Sequence, residues 1–134
     1  MKITIITGDR GVDVTNISCA DKDIENLPER KILNQYDLSE YIYKKAEEMY
    51  IKNKNLTIIT YSDVVFDTIR VFVRDCNYNF KYSNYDKKCS CECIFVDKDG
   101  KNNIYNILDT GKLAHWRDGM FDVKQELLTM LLGW

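Results

Sequence analysis

Proline, histidine and long apolar runs are scarce in this chain. Its 134 residues include one proline and one histidine, and no apolar stretch approaches the roughly 18 residues that a membrane-spanning helix needs. An excess of positive charge is missing too, because the net charge is -2 and the isoelectric point is about 5.4. Nucleic-acid binders usually present a basic face. We therefore expect neither a membrane nor a nucleic acid as a direct partner.

No secretory signal is expected either, since residues 2–7 have a strand-like pattern. The five cysteines are then expected to be reduced thiols in the cytoplasm. Hydrophobic residues make up 45% of the chain and charged residues 30%, which is the balance of a globular protein. The length suits one domain with its own core, and we expect residues 1–134 to form that domain.

Seven segments have the patterns of regular structure. Strands are predicted at residues 2–7, 56–60, 91–98 and 102–108, and helices at 36–53, 64–75 and 121–132. The run 56–60 is too apolar to alternate, which indicates a central strand. Asp99-Gly100 between two apolar runs predicts a hairpin. The order predicts an α/β fold, a three-layer-like sandwich with a small mixed sheet of about four strands and three helices.

Caps, loops and apolar faces can be predicted for the first two helices. Asp37 or Ser39 can cap the first helix, and Ser62 or Asp63 the second. Residues 77–88 and 111–119 are expected to be loops. The residues expected to face inward are Leu38, Ile42, Ala46, Met49 and Tyr50, then Val65, Ile69, Phe72 and Val73.

Three carboxylates follow the first two predicted strands. Asp9 and Asp13 come after the first strand, and Asp63 after the second. Ligands gather at the carboxyl ends of parallel strands, where three such groups could hold Mg²⁺. Helix capping and loop solvation explain the same residues equally well. A small metal-dependent phosphohydrolase or nuclease using Asp9, Asp13 and Asp63 is therefore one alternative for the function.

Cys89, Cys91 and Cys93 form a C-x-C-x-C pattern. On a strand such side chains point to one face about 6–7 Å apart, whereas a tetrahedral zinc site needs its sulfurs closer and usually has two cysteines on a tight turn. Thiols on a buried or half-buried face are the preferred interpretation, and no metal is predicted. His115 lies in a predicted loop, where packing or solvent exposure explains it better than catalysis.

The run from Trp116 to Phe121 sets a large aromatic side chain beside Arg117 and Asp118. Tryptophan and arginine are common anchors of protein interfaces. Trp116 could instead pack under the last helix, with Gly119 permitting the turn. The interaction candidates are Trp116, Arg117, Asp118 and Phe121.

Two segments carry a resemblance to a known family. The first is a T-x-S-D segment between a predicted strand and a predicted helix, and the second follows the predicted hairpin. Their residues are Thr60, Tyr61, Ser62, Asp63, Ile69 and Arg70, then Trp116, Asp118, Gly119, Phe121 and Asp122. With them, residues 38–122 resemble the C-terminal half of predicted bacterial AAA-type ATPases of the ABC, RecF-like clade, relatives of the overcoming-lysogenization-defect nucleases. In that family a helix leads into a strand that ends in T-H-S-D/E, and a tail similar to W-P-D-G-F-F-D follows later.

The departures from this family concern the groups that handle nucleotide. Tyr61 stands where the family has the histidine that contacts the γ-phosphate, and only Asp9 could replace the paired acidic residues. The phosphate-loop pattern requires a lysine and a hydroxyl that residues 8–11 lack, so a plain turn is expected there. Phosphoryl transfer depends on positioning and charge stabilisation. The resemblance therefore implies degenerate nucleotide-site positions at Asp9, Tyr61, Ser62 and Asp63, with no enzyme activity and no cofactor.

The sequence as a whole favours a non-catalytic binding protein derived from an ATPase lobe. We expect it to act through protein contact, with an ABC-type ATPase as the candidate partner. The abundance of Lys, Asn, Ile and Tyr fits an AT-rich genome, so a phage or mobile element that modulates a host ATPase or defence system is one origin. A structural homo-oligomer is the remaining alternative.

Overall fold

The computed structural model of the chain describes residues 1–9, 34–78 and 88–114. The elements in chain order are β1 (Lys2–Gly8), α1 (Gln35–Ile51), β2 (Leu56–Ile59), α2 (Asp63–Tyr78), β3 (Ser90–Val96) and β4 (Asn102–Ile107). A four-stranded mixed sheet with two helices confirms the predicted α/β class. The third predicted helix, at residues 121–132, lies outside the described residues.

The sheet is built around its first strand. The strand order is β2-β1-β3-β4, with β1 parallel to both neighbours and β4 antiparallel to β3. The prediction that residues 56–60 form a central strand is wrong, because β2 has a neighbour on one side only within the described sheet. An apolar run indicates that both faces of a strand are covered. It does not indicate whether other strands pair with it on both sides.

Both helices pack on one face of the sheet and against each other. Ile3 and Ile5 of β1 share one core cluster with the apolar faces of α1 and α2. Phe72 of α2 makes edge-to-face contacts with Tyr43 and Tyr50 of α1, with ring centroids 5.4 Å and 6.2 Å apart. Every predicted inward residue is buried except Leu38, which is partly buried against this cluster. The described residues thus form two layers.

A row of isoleucines crosses the opposite face of the sheet. The strand registers pair Ile59 with Ile6, Ile6 with Ile94, and Ile94 with Ile104. Ile6 is 1% exposed at the centre of the row, while Ile104 is 62% exposed at the β4 end. The second face is therefore apolar along one line and increasingly accessible toward β4.

The helix ends differ from the sequence prediction in two places. Asn34 caps α1, because its side chain accepts a hydrogen bond of 2.8 Å from the Asp37 amide, so neither Asp37 nor Ser39 is the cap. The second helix runs to Tyr78, which corrects the predicted start of a loop at Asn77. Cys76 is buried in this added turn. Packing of that turn on the core outweighs the polar character of the residues that follow.

The predicted hairpin joins β3 to β4. The carboxylate of Asp97 accepts hydrogen bonds from the amides of Asp99 and Lys101, at 3.0 Å and 2.9 Å. Gly100 has a φ of 78°, a left-handed conformation that glycine adopts without the clash of a Cβ atom. Side-chain capping and one glycine thus account for the turn.

A second glycine brings the end of β4 against α2. Gly111 has a φ of 82°, and a Cβ atom built on it would lie 2.4 Å from the carbonyl oxygen of Arg70. The Arg70 Nε donates a hydrogen bond of 2.8 Å to the Gly111 carbonyl. The turn after β4 is consequently held directly on the helix backbone.

We predict that Gly111→Ala destabilises the protein by at least ~2 kcal/mol, since left-handed strain of about 1 kcal/mol adds to overpacking of about 1–3 kcal/mol. Gly100→Ala is the matched control, because its φ is similar but no atom lies within 4 Å of the added Cβ. Urea unfolding should show only the strain of about 1 kcal/mol in the control. Equal losses in both variants would contradict the close approach.

Candidate functional site

The carboxyl ends of β1, β2 and β3 meet at one edge of the sheet, because the three strands are parallel. This edge carries Asp9 after β1, Tyr61 and Ser62 after β2, and Asp97 after β3. Ligand sites of parallel sheets are usually found at such an edge. We call these residues, together with Asp63, the carboxyl-edge cluster.

The junction between β2 and α2 uses its own polar groups to hold its shape. Ser62 Oγ accepts a hydrogen bond from the Val65 amide at 3.4 Å, which makes Ser62, one of the two predicted candidates, the N-cap of α2. Thr60 Oγ1 accepts from the Ser62 amide at 3.0 Å. The Thr60 amide donates to the Ile6 carbonyl at 3.0 Å and so continues the pairing with β1. The hydroxyls of the T-x-S-D segment are thus engaged in folding.

Tyr61 and Asp63 have different roles at this junction. Asp63 begins α2, where a negative charge is stabilised by the positive end of the helix dipole. Tyr61 is 50% exposed between a strand and a helix that are both well packed. The tyrosine is therefore the most exposed residue of the T-x-S-D segment.

Asp9 connects the ends of β1 and β3. Its amide donates to the Val96 carbonyl at 2.9 Å, and its carboxylate Oδ2 accepts from the Lys98 amide at 3.1 Å. The Asp97 carboxylate, as described above, organises the hairpin turn. Both carboxylates therefore have a structural use at this edge.

The predicted trio of metal ligands is only partly visible. Asp9 and Asp63 lie at the same edge, and Asp13 falls outside the described residues. Within residues 1–9, 34–78 and 88–114, no group of three or more His, Cys, Asp or Glu side chains is arranged to hold a metal ion. The interaction candidates Trp116, Arg117, Asp118 and Phe121 also lie outside the described residues, as does His115.

The sequence analysis did not anticipate the groove beside the Gly111 turn. It has a volume of about 370 Å³ and lies between α2 and the turn. Arg70 lines the groove and donates hydrogen bonds to the Gly111 carbonyl and, at 3.1 Å, to the Asp67 carboxylate. Its guanidinium also lies 5.7 Å from the centre of the Phe66 ring. A glycine at position 111 was the one sequence feature that could have indicated this close contact. Arg70 was noted only because of the resemblance to the ATPase family.

The C-x-C-x-C cysteines are buried and unbridged, as predicted. Cys91 and Cys93 share a strand face with Ile3 and Ile5, which is the face covered by the helices. Burial raises the pKa of the Cys91 thiol and raises the pKa of Cys93 to about 12. These two thiols are core side chains that stay protonated at neutral pH.

Comparisons of the chain with protein-family models, with curated proteins and with solved structures found no match. The resemblance to ABC-type ATPases therefore stays a prediction. In the part of the chain that the structure describes, no helix is both long and apolar enough to cross a membrane.

We predict that Ser62→Ala lowers the free energy of unfolding by about 0.5–2 kcal/mol, because the α2 amides lose their cap. Ser90→Ala is the control, since Ser90 is an exposed serine at the start of β3. Thermal and urea unfolding of both variants would measure the difference. A loss no larger than that of the control would show that the cap contributes little.

Proposed function

We propose that this chain is a non-catalytic binding protein that contacts a protein partner through the carboxyl-edge cluster. The observation that carries the proposal is that Tyr61 is half exposed on a junction whose shape is held by hydrogen bonds of Thr60 and Ser62. An aromatic side chain on rigid neighbours loses little conformational entropy when it is buried in a partner. Tyrosine is accordingly one of the residues that contribute most to interface energies.

The same edge gives little support to phosphoryl transfer. Catalysis of that reaction needs groups that neutralise charge on the transferred phosphoryl. The Asp9 carboxylate accepts a hydrogen bond from the Lys98 amide, and Ser62 caps α2. The sequence has no phosphate-loop lysine. A phenol at Tyr61 brings no positive charge. A binding role needs no groups beyond those at this edge, whereas phosphoryl transfer would need further groups that neutralise charge.

The identity of the partner rests on the family resemblance. A lobe that keeps the strand-to-helix junction of an ABC-type ATPase would retain the surface by which such lobes meet each other. The partner we propose is an ABC-type ATPase, and the Trp116–Phe121 segment would extend the same contact. Modulation of a host ATPase or defence system by a phage or mobile element is the biological setting that fits this proposal.

We predict that the pure chain captures an ABC-type ATPase from a lysate of its host, and that the pair re-forms from purified components. Tyr61→Ala should weaken the reconstituted complex at least tenfold, because truncating an interface anchor costs more than about 1.4 kcal/mol. Biolayer interferometry would measure the dissociation constants.

Tyr36→Ala is the matched control for that experiment. Tyr36 is 76% exposed on the first turn of α1, so its removal tests a general loss of aromatic surface. The control should bind like the unmodified chain. Failure to recover any ATPase, or equal weakening by both variants, would argue against the proposal. Light scattering that shows a stable oligomer of the chain alone would favour the homo-oligomer instead.

We also predict that the chain alone hydrolyses neither ATP nor GTP and cleaves no DNA in the presence of Mg²⁺ or Mn²⁺. Phosphate release and nuclease assays should match a buffer blank. Turnover that disappears in Asp9→Asn would instead establish the metal-dependent phosphohydrolase or nuclease that uses Asp9, Asp13 and Asp63.

A further inference from the structure

The second face of the sheet is buried at its centre, although α1 and α2 both lie on the other face. Ile6 is 1% exposed there. Among the described residues, its apolar cluster consists of sheet residues alone, namely Val96, Ile59 and Ile94. Side chains stand roughly perpendicular to a sheet, so neighbours within the sheet cover the sides of Ile6 and leave its tip to a further layer. That layer must come from residues 10–33, 79–87 or 115–134.

The burial pattern indicates a layer about one helix wide. On β1 and β2, the second-face residues Thr4, Thr57 and Ile6 are buried. On β4, Ile104 is 62% exposed and Asn106 is exposed too. Neighbouring strands are about 4.8 Å apart, and a helix with its side chains is about 10–12 Å in diameter. One helix near β1 would therefore leave β4, two strands away, open to solvent.

Residues 115–134 include the apolar surface that such a layer needs. The helix predicted at residues 121–132 carries Val123, Leu127 and Leu131, which recur every four residues and so share one face. The predicted helix is about 18 Å long, which is enough to follow most of a seven-residue strand such as β1.

The two other segments are less suited to this role. Residues 79–87 join the end of α2 to the start of β3. Ser90 at that start pairs with Lys2, four residues before Ile6 on β1. Residues 10–33 are rich in charged side chains, and a proline at position 28 would interrupt a helix there.

The chain leaves β4 in a position from which it can reach the second face. Leu113 pairs antiparallel with Ile107, and the Ala114 amide donates to the Asn106 carbonyl at 3.0 Å. The chain at Ala114 therefore lies along the outer side of β4 and runs toward the carboxyl edge of the sheet. From there β1 is three strand spacings away, about 14 Å, and the residues 115–120 can span about 20 Å.

We propose that the helix of residues 121–132 packs along the second face of the sheet over β1, with its apolar side on Ile6, and forms a third layer. The occupant of this face is thus a segment of the same chain. Its connection to β4 passes the carboxyl edge, where the carboxyl-edge cluster lies. The docking is a property of the chain alone, so its test needs no partner and is separate from the test of the proposed function.

The test is methyl NMR of the whole chain with labelled isoleucine, leucine and valine methyl groups. The expected result is a set of nuclear Overhauser effects between the Ile6 δ1 methyl and the methyls of Leu127 or Leu131. A water-soluble gadolinium chelate should broaden the Ile104 δ1 methyl and spare that of Ile6. Contacts of Ile6 that are confined to the sheet, or that join it to residues 10–33 or 79–87 instead, would overturn the proposal.

Leu127→Asp and Thr129→Asp are a matched pair of variants for the same measurement. Positions two apart on a helix do not share a face, so the first variant puts a charge on the apolar side and the second puts it on the opposite side. Leu127→Asp should shift the Ile6 methyl signal and raise its broadening by the chelate to that of Ile104, whereas Thr129→Asp should change neither. Equal effects of the two variants would contradict the docking. The Ile3 methyl on the other face reports whether each variant is folded, and the contacts in the unmodified chain decide the question if Leu127→Asp is not.

Discussion

Hydrogen bonding of β1 on both sides is the constraint on which the described structure depends. Ile3 and Ile5 face the two helices, while Ile6 lies in the isoleucine row of the other face. A strand buried on both faces and paired on both edges can satisfy its backbone groups only through its neighbours. The registers of β2 and β3 are fixed through this one strand. The positions of Tyr61 and Asp97 at the carboxyl edge follow from them.

The sequence predicts the local structure well because the relevant signals are local. The helix faces of α1 and α2 are visible in the spacing of Ile42, Ala46, Val65 and Ile69, and the hairpin is visible in Asp99-Gly100. Sheet order is not local. Residues 56–60 have the composition of a central strand, yet β2 is the outermost strand among the described residues. Apolar content indicates how the faces of a strand are covered rather than how many strands pair with it. Helix caps are predicted only in part. Ser62 is one of the two residues predicted to cap α2, whereas Asn34 caps α1 in place of the expected Asp37 or Ser39.

For the candidate site, too, local features could be predicted from the sequence and long-range contacts could not. That Asp9, Tyr61, Ser62 and Asp63 share one edge could be predicted from strand direction alone. The use of each polar group could not, since the bond from the Lys98 amide to Asp9 joins residues 89 positions apart. The contact between the end of α2 and the start of β3 was hidden for a related reason. The C-x-C-x-C spacing drew attention to β3 alone, whereas the Asn77 side chain that is hydrogen-bonded to the Cys89 backbone belongs to a helix.

The absence of a side chain at Gly111 has a consequence for which residues related sequences should keep. A carbonyl oxygen of α2 occupies the space that any β-carbon would need, and the Arg70 side chain holds the turn in place. Surface residues such as Tyr61 can change when partners change, whereas any side chain at position 111 would meet the backbone of α2. An arginine in the second helix, followed 41 positions later by a glycine, is therefore the feature that divergent relatives should preserve longest.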